Sequence, residues 1–144
     1  MQLAKSNVMK AWKTSWSSAT TKGSHLKRIT SARHTAPIIK LSKVLKTRQQ
    51  MSRLISMRTG HCSLNDYLHR FHIDHTDSPL CACGGGRRET VNHFLLDCTR
   101  YDQQRAQLAS KVGIGGMWVE KLLGYPKLIT HTLEYIENTK RMPF

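Results

Sequence analysis

Four residues constrain this chain more than any others: Cys81, Cys83, His93 and Cys98, in the spacing C-x-C-x9-H-x4-C. Three thiols and an imidazole complete a closed tetrahedral set, the form in which proteins hold structural zinc. The first pair is one residue tighter than the common C-x2–4-C step. Residues i and i+2 of an extended segment nevertheless point to the same face, so both sulfurs can reach one ion. Gly84, Gly85 and Gly86 follow at once and allow a sharp reversal with backbone close to the metal. The H-x4-C step falls in the range tolerated for the last ligand pair of helix-borne fingers. Zinc with three thiolates leaves about one negative charge, which Arg87 and Arg88 in the same loop are placed to offset.

Two disulfides are the alternative use of four cysteines. Lys5, Lys10 and Lys13 interrupt the start of the chain, so no secretory leader is expected, and a reducing compartment favours thiols. Cys62 is the odd cysteine and reads as a small buried hydrophobe. An iron–sulfur cluster fits poorly with a histidine in the set.

Charge is the second constraint. The net value is +14, and it is distributed unevenly. All of the first sixty positions lack an acid, the first being Asp66, whereas the remainder is close to neutral. A cationic half of this kind reads as a surface for a polyanion, nucleic acid foremost. A solubilising face with no fixed partner is the bland alternative. No apolar run approaches the ~20 residues needed to span a bilayer, and no membrane partner is expected.

At 144 residues the chain suits one domain with an arm. Residues 1–36 are read as a basic, partly flexible arm with a short helix at best, around Trp12 and Trp16, then a mobile segment. Residues 37–144 are read as a helical domain carrying the zinc knuckle at 81–98. An amphipathic helix is expected from Pro37 to Gly60, with Ile38, Leu41, Val44, Leu45, Met51, Leu54 and Ile55 on its apolar side. A second starts after Ser63 as N-cap. A third runs from Val91 through Leu108, a short one lies near Trp118, and a last spans about Leu128 to Lys140. No strand alternation of any length appears. The expected fold class is mostly α, a small helical domain with an inserted Cys-Cys-His-Cys knuckle.

Catalysis is not expected. Four ligands close a zinc site, and the chain has no H-E-x-x-H, Walker-type phosphate loop or G-x-S-x-G. Asp66, Asp74 and Asp77 read as solvated turn and cap residues rather than converging carboxylates. His69 and His72 lie three apart without a second ligand set.

Longer stretches carry a resemblance. Met57-Arg58-Thr59-Gly60-His61, Leu64-Asn65-Asp66-Tyr67-Leu68, Cys81-Ala82-Cys83-Gly84, and the run from Glu89 to Cys98 with Tyr101 resemble the C-terminal region of non-LTR (LINE-like) retrotransposon reverse transcriptases of fungal type. The resemblance implies a Cys-Cys-His-Cys zinc knuckle on Cys81, Cys83, His93 and Cys98. It also implies a part in holding template RNA or target DNA. The polymerase and RNase H carboxylates of that family belong to upstream domains and have no counterpart here, and Thr99 stands where family members often carry proline.

The expectation is therefore a non-catalytic, Zn2+-stabilised nucleic-acid-binding module. Lys40, Lys43, Lys46, Arg48, Arg53 and Arg58 would contact phosphate, with Arg87 and Arg88 at the knuckle rim. Trp12 and Trp16 are candidates for stacking on unpaired bases. The alternatives are a module that docks a reverse transcriptase or host protein, and a retroelement remnant. The expected location is intracellular and nuclear.

Overall fold

Helices make up most of the described chain, in keeping with the scarcity of period-two patterning. The computed structural model describes residues 2–18, 23–31, 41 and 43–142. Among them are α1 (Gln2–Ser18), α2 (Ser24–Ser31), α3 (Arg48–Thr59), α4 (Asn65–Arg70), α5 (Asp102–Val112), α6 (Val119–Gly124) and α7 (Pro126–Thr139). A π-helical segment, His93–Asp97, and a 3-10 turn, Thr99–Tyr101, lead into α5. A lone antiparallel bridge joins Leu80 to Arg88, and no longer strand occurs among the described residues.

The core is the meeting place of α3, α5, α6 and α7 with the π segment. Leu54 and Met57 of α3 and Phe94 and Leu95 of the π segment are buried there. Leu122 and Leu123 of α6 join Ile129, Leu133, Tyr135 and Ile136 of α7. The α7 residues recur at three- and four-residue steps, and Pro126 at the start supplies a fixed φ where its missing N–H costs nothing. Thr132 is buried among them because its hydroxyl donates to the Leu122 and Leu128 carbonyls, at 2.9 and 3.0 Å.

Three local expectations need correction. The helix drawn as continuous from Pro37 to Gly60 is broken: Leu41 is helical, residues 43–47 turn without helix, α3 starts at Arg48, and residues 32–40 and 42 lie outside the described residues. Thr47 is the reason. Its side chain accepts from the Gln50 N–H, while Gln50 Oε1 accepts from the Lys46 N–H, a near-reciprocal cap that fixes the helix start. Gly60 ends the helix as expected, at φ 79°, where a side chain would be strained. Ile55, assigned to the apolar face, is exposed.

Second, Ser63 does not cap α4. Leu64 holds the N-cap position, and the cap acceptor comes from far along the chain: Glu89 Oε2 accepts from the Asn65 N–H at 2.8 Å.

Third, the described residues before position 32 form two helices, where the sequence suggests a short helix and a mobile segment; positions 19–22, part of that expected segment, lie outside the described residues. The side chains of α1 described from Ser6 are mostly solvent-exposed. Trp12 and Trp16 stack at 5.7 Å, with Lys27 over Trp16. By contrast, α2 packs on α3 and α6. Ile29 is wholly buried, His25 Nε2 lies 2.9 Å from the Met57 carbonyl, and Arg28 pairs with Glu120 at 2.7 Å. Sparse hydrophobics hid this helix, because one isoleucine does most of its burying.

No helix among the described residues is long and apolar enough to cross a membrane.

Candidate metal centre

The cysteine loop is a tight reversal between Pro79 and Glu89. Cys81 N–H donates to the Arg87 carbonyl and Glu89 N–H to that of Pro79, both at 2.8 Å. Gly84 and Gly86 turn the tip at φ 81° and 62°, values that L side chains rarely adopt. Beyond the loop, the Thr90 hydroxyl accepts from the His93 N–H at 3.2 Å and starts the next helical turn.

That turn is π rather than α, and the ligand spacing explains why. In an α-helix, residues five apart differ by about 500°, which leaves them about 140° out of line. A π turn closes i to i+5. Here the Cys98 N–H donates to the His93 carbonyl at 2.8 Å, so the two ligands come round to one side. Breaking the α ladder leaves carbonyls to satisfy. The buried Tyr135 hydroxyl of α7 donates to the Phe94 carbonyl, and Arg105 of α5 donates to that of Cys98, each at 2.6 Å.

The result is one cluster. One ligand atom from each of Cys81, Cys83, His93 and Cys98 lies within 4.8 Å of the others, and among the described residues it is the sole group of three or more such side chains. Cys81 and Cys98 Sγ are 3.5 Å apart, as are Cys83 Sγ and His93 Nε2. For a tetrahedral ion with sulfur at 2.3 Å and nitrogen at 2.0–2.1 Å, these separations should be about 3.8 and about 3.6 Å. The four side chains can therefore hold a metal ion, in a geometry compatible with zinc. All four cysteines are free thiols, so the disulfide alternative is not the arrangement found.

The electrostatics suit that use. Burial lowers the His93 pKa, which favours the neutral imidazole that a metal requires. Burial pushes the Cys81 thiol up to about 12, so in the metal-free cluster it carries its proton. The Gly85 N–H, donated to Cys83, draws that thiol the other way. His93 Nδ1 is buried without a hydrogen-bond partner among the described residues. Cys62 stays outside the cluster as expected, buried, its thiol pushed up to about 11 by desolvation.

Glu89 ties the cluster to the rest of the molecule. It is 2% exposed, its Oε1 lies 3.8 Å from Cys81 Sγ, and Arg141 grips both oxygens at 2.8 and 2.5 Å. Asn65 completes the knot. Its amide donates to the Leu80 carbonyl at 2.8 Å and accepts from Arg141 at 2.9 Å. Glu89, Arg105, Tyr135 and Arg141 were not singled out from sequence. Glu89 with Arg141 and Tyr135 with Phe94 act across separations that no local pattern encodes, whereas Arg105 reaches back only to Cys98.

The predicted cationic contacts fare unevenly. Lys43, Lys46 and Arg48 are exposed just ahead of and at the start of α3, and Lys40 lies outside the described residues. Arg58 is 4% exposed and packs inward, so it does not present a guanidinium to phosphate. Arg53 is mostly buried, with Glu137 at 4.0 Å. Arg87 faces Asp97 at 3.7 Å and Arg88 meets Asp66 at 2.5 Å, so both spend charge on carboxylates rather than on the sulfurs. Asp66 is accordingly no solvated cap: it is buried and also takes Arg70 at 2.6 Å.

No protein-family model, no curated protein and no solved structure matches this chain.

Proposed function

We propose that the chain is a non-catalytic nucleic-acid-binding module whose fold is stabilised by zinc. The convergence of Cys81, Cys83, His93 and Cys98 is the observation that carries the zinc part. With all four positions taken by protein ligands, the ion's contribution is structural: it cross-links the glycine loop to the π segment. The binding part rests on charge and on the resemblance to the C-terminal region of retrotransposon reverse transcriptases. Two of the segments that carry the resemblance, 64–68 and 89–98, are joined beside the cluster by Glu89, which accepts from the Asn65 N–H and lies against Cys81, and this favours reading them as one unit.

Lys43, Lys46 and Arg48 are exposed cations named from sequence; Arg87 and Arg88 are exposed too, but each faces a carboxylate, Asp97 and Asp66. Three phosphate contacts give a plot of log affinity against log salt a slope of about −2 to −3. Replacing Lys43, Lys46 and Arg48 together by glutamine is expected to flatten the slope by about two and weaken binding to all sequences alike. Fluorescence anisotropy with labelled RNA and DNA across a salt series measures both. If neither RNA nor DNA binds at low salt, the nucleic-acid reading is wrong, and docking to a protein becomes the better account.

A further inference from the structure

A cleft of about 650 Å³ opens beside the metal centre, bounded by α2, the C-terminal end of α3, α4 and the step from Glu89 to Asn92. That volume falls within the range of sites that take a small ligand. Three rings form a row along it: His61 to Tyr67 at 5.2 Å between centroids, then Tyr67 to Phe71 at 4.8 Å. Phe71, at the end of the row, is 53% exposed. Its contact with Tyr67 leaves about half of the residue open to solvent at the cleft.

The charge around the rings suits an anionic ligand with a flat group. Arg70 and Arg28 line the cleft, with 59% and 52% of their side chains exposed; Arg28 is paired through Nε with Glu120, which leaves the anion to Arg70. Arg70 commits Nη2 to Asp66, and a guanidinium has five donors in all. The two acids in the lining do not repel an anion strongly, because Asp66 is also held by Arg88 and Glu89 is held by Arg141.

We infer that this cleft receives an unpaired nucleotide of a single strand, its base stacked on Phe71 and its phosphate met by Arg70. The inference rests on the nucleic-acid reading above and adds a preference to it. A base inside a duplex is already stacked and cannot enter such a cleft, whereas an unpaired base can be splayed onto an aromatic ring. Lys43, Lys46 and Arg48 would then serve any strand, and the ring row only single strands.

The test uses the full chain and short RNA and DNA oligonucleotides carrying a fluorescent aminopurine base, whose emission falls on stacking. Wild type should bind the single strands and quench them. Phe71→Ala should weaken single-strand binding about tenfold or more and lose the quench. Phe71→Leu, which keeps an apolar neighbour for Tyr67, should behave like the alanine variant, and Phe71→Trp should restore both signals. Duplex binding should be unchanged in all three. Far-ultraviolet circular dichroism and metal content confirm that each variant is folded. Single-strand binding and quenching that survive in folded Phe71→Ala overturn the inference and leave the nucleic-acid reading standing. Equal losses on single strand and duplex also overturn it, as does quenching lost with Trp12→Ala instead. Failure of wild type to bind any oligonucleotide at low salt removes the reading on which it rests.

Discussion

Cys98→Ser is expected to cost more than about 4 kcal/mol of stability and to abolish tight metal binding. Cys98 is wholly buried, and the residues beside it along the chain, Phe94, Leu95 and Tyr101, are core. A serine hydroxyl there is a poor zinc ligand, and it leaves a polar group among hydrophobic ones. On the zinc reading, the π segment would lose the ion that holds His93 and Cys98 to one side, and the Tyr135 and Arg105 hydrogen bonds to the Phe94 and Cys98 carbonyls would lose their fixed partners. Urea unfolding followed by circular dichroism gives the stability change. A chelator supplies the internal control: it should lower the midpoint of wild type steeply and barely move that of the variant. Equal midpoints for variant and wild type would mean that no ion contributes to the fold.

Arg141→Ala is expected to destabilise the protein by about 3 to 5 kcal/mol, the loss typical when one partner of a buried ion pair is removed. Glu89 is the reason for so large a figure at a half-buried arginine near the C-terminal end of the described chain. Its carboxylate is buried, and without Arg141 it retains the Asn65 N–H, while the Cys81 sulfur beside it, a thiolate once a metal is bound, cannot donate to it. The same change removes the hydrogen bond to the Asn65 side chain. Combining it with Glu89→Gln should recover part of the loss, because the uncompensated charge goes while the cap acceptor for α4 remains. Thermal unfolding of the two single variants and the double variant reads the coupling directly.

The grouping of Cys81, Cys83, His93 and Cys98 was legible because a candidate metal-ligand set is written in residue type and spacing, and both survive without knowledge of the fold. The mostly helical class was legible from periodicity, most clearly in α7. The π segment was not, since a 3.6-residue pattern from Val91 to Leu108 runs smoothly over it. Yet the five-residue step from His93 to Cys98 is itself incompatible with an α-helix that carries both ligands. The start of α3 was likewise encoded, in Thr47 and Gln50, but apolar residues upstream at matching intervals concealed it. Charge was the least reliable guide. Nothing local separates Arg58, which packs inward, from Arg48, which is exposed, because a long arginine stem can lie along apolar surface and its head can find partners inside. The Glu89–Arg141 knot joins segments that no short-range pattern connects.

These features make the cluster the centre on which the knuckle, α4 and the end of the chain all depend. Metal content of protein purified without added metal therefore tests the account most directly. Native mass spectrometry alongside elemental analysis should find about one zinc ion per chain, lost together with folded structure when a strong chelator is added. A folded chain that carries no metal and is indifferent to the chelator would contradict it.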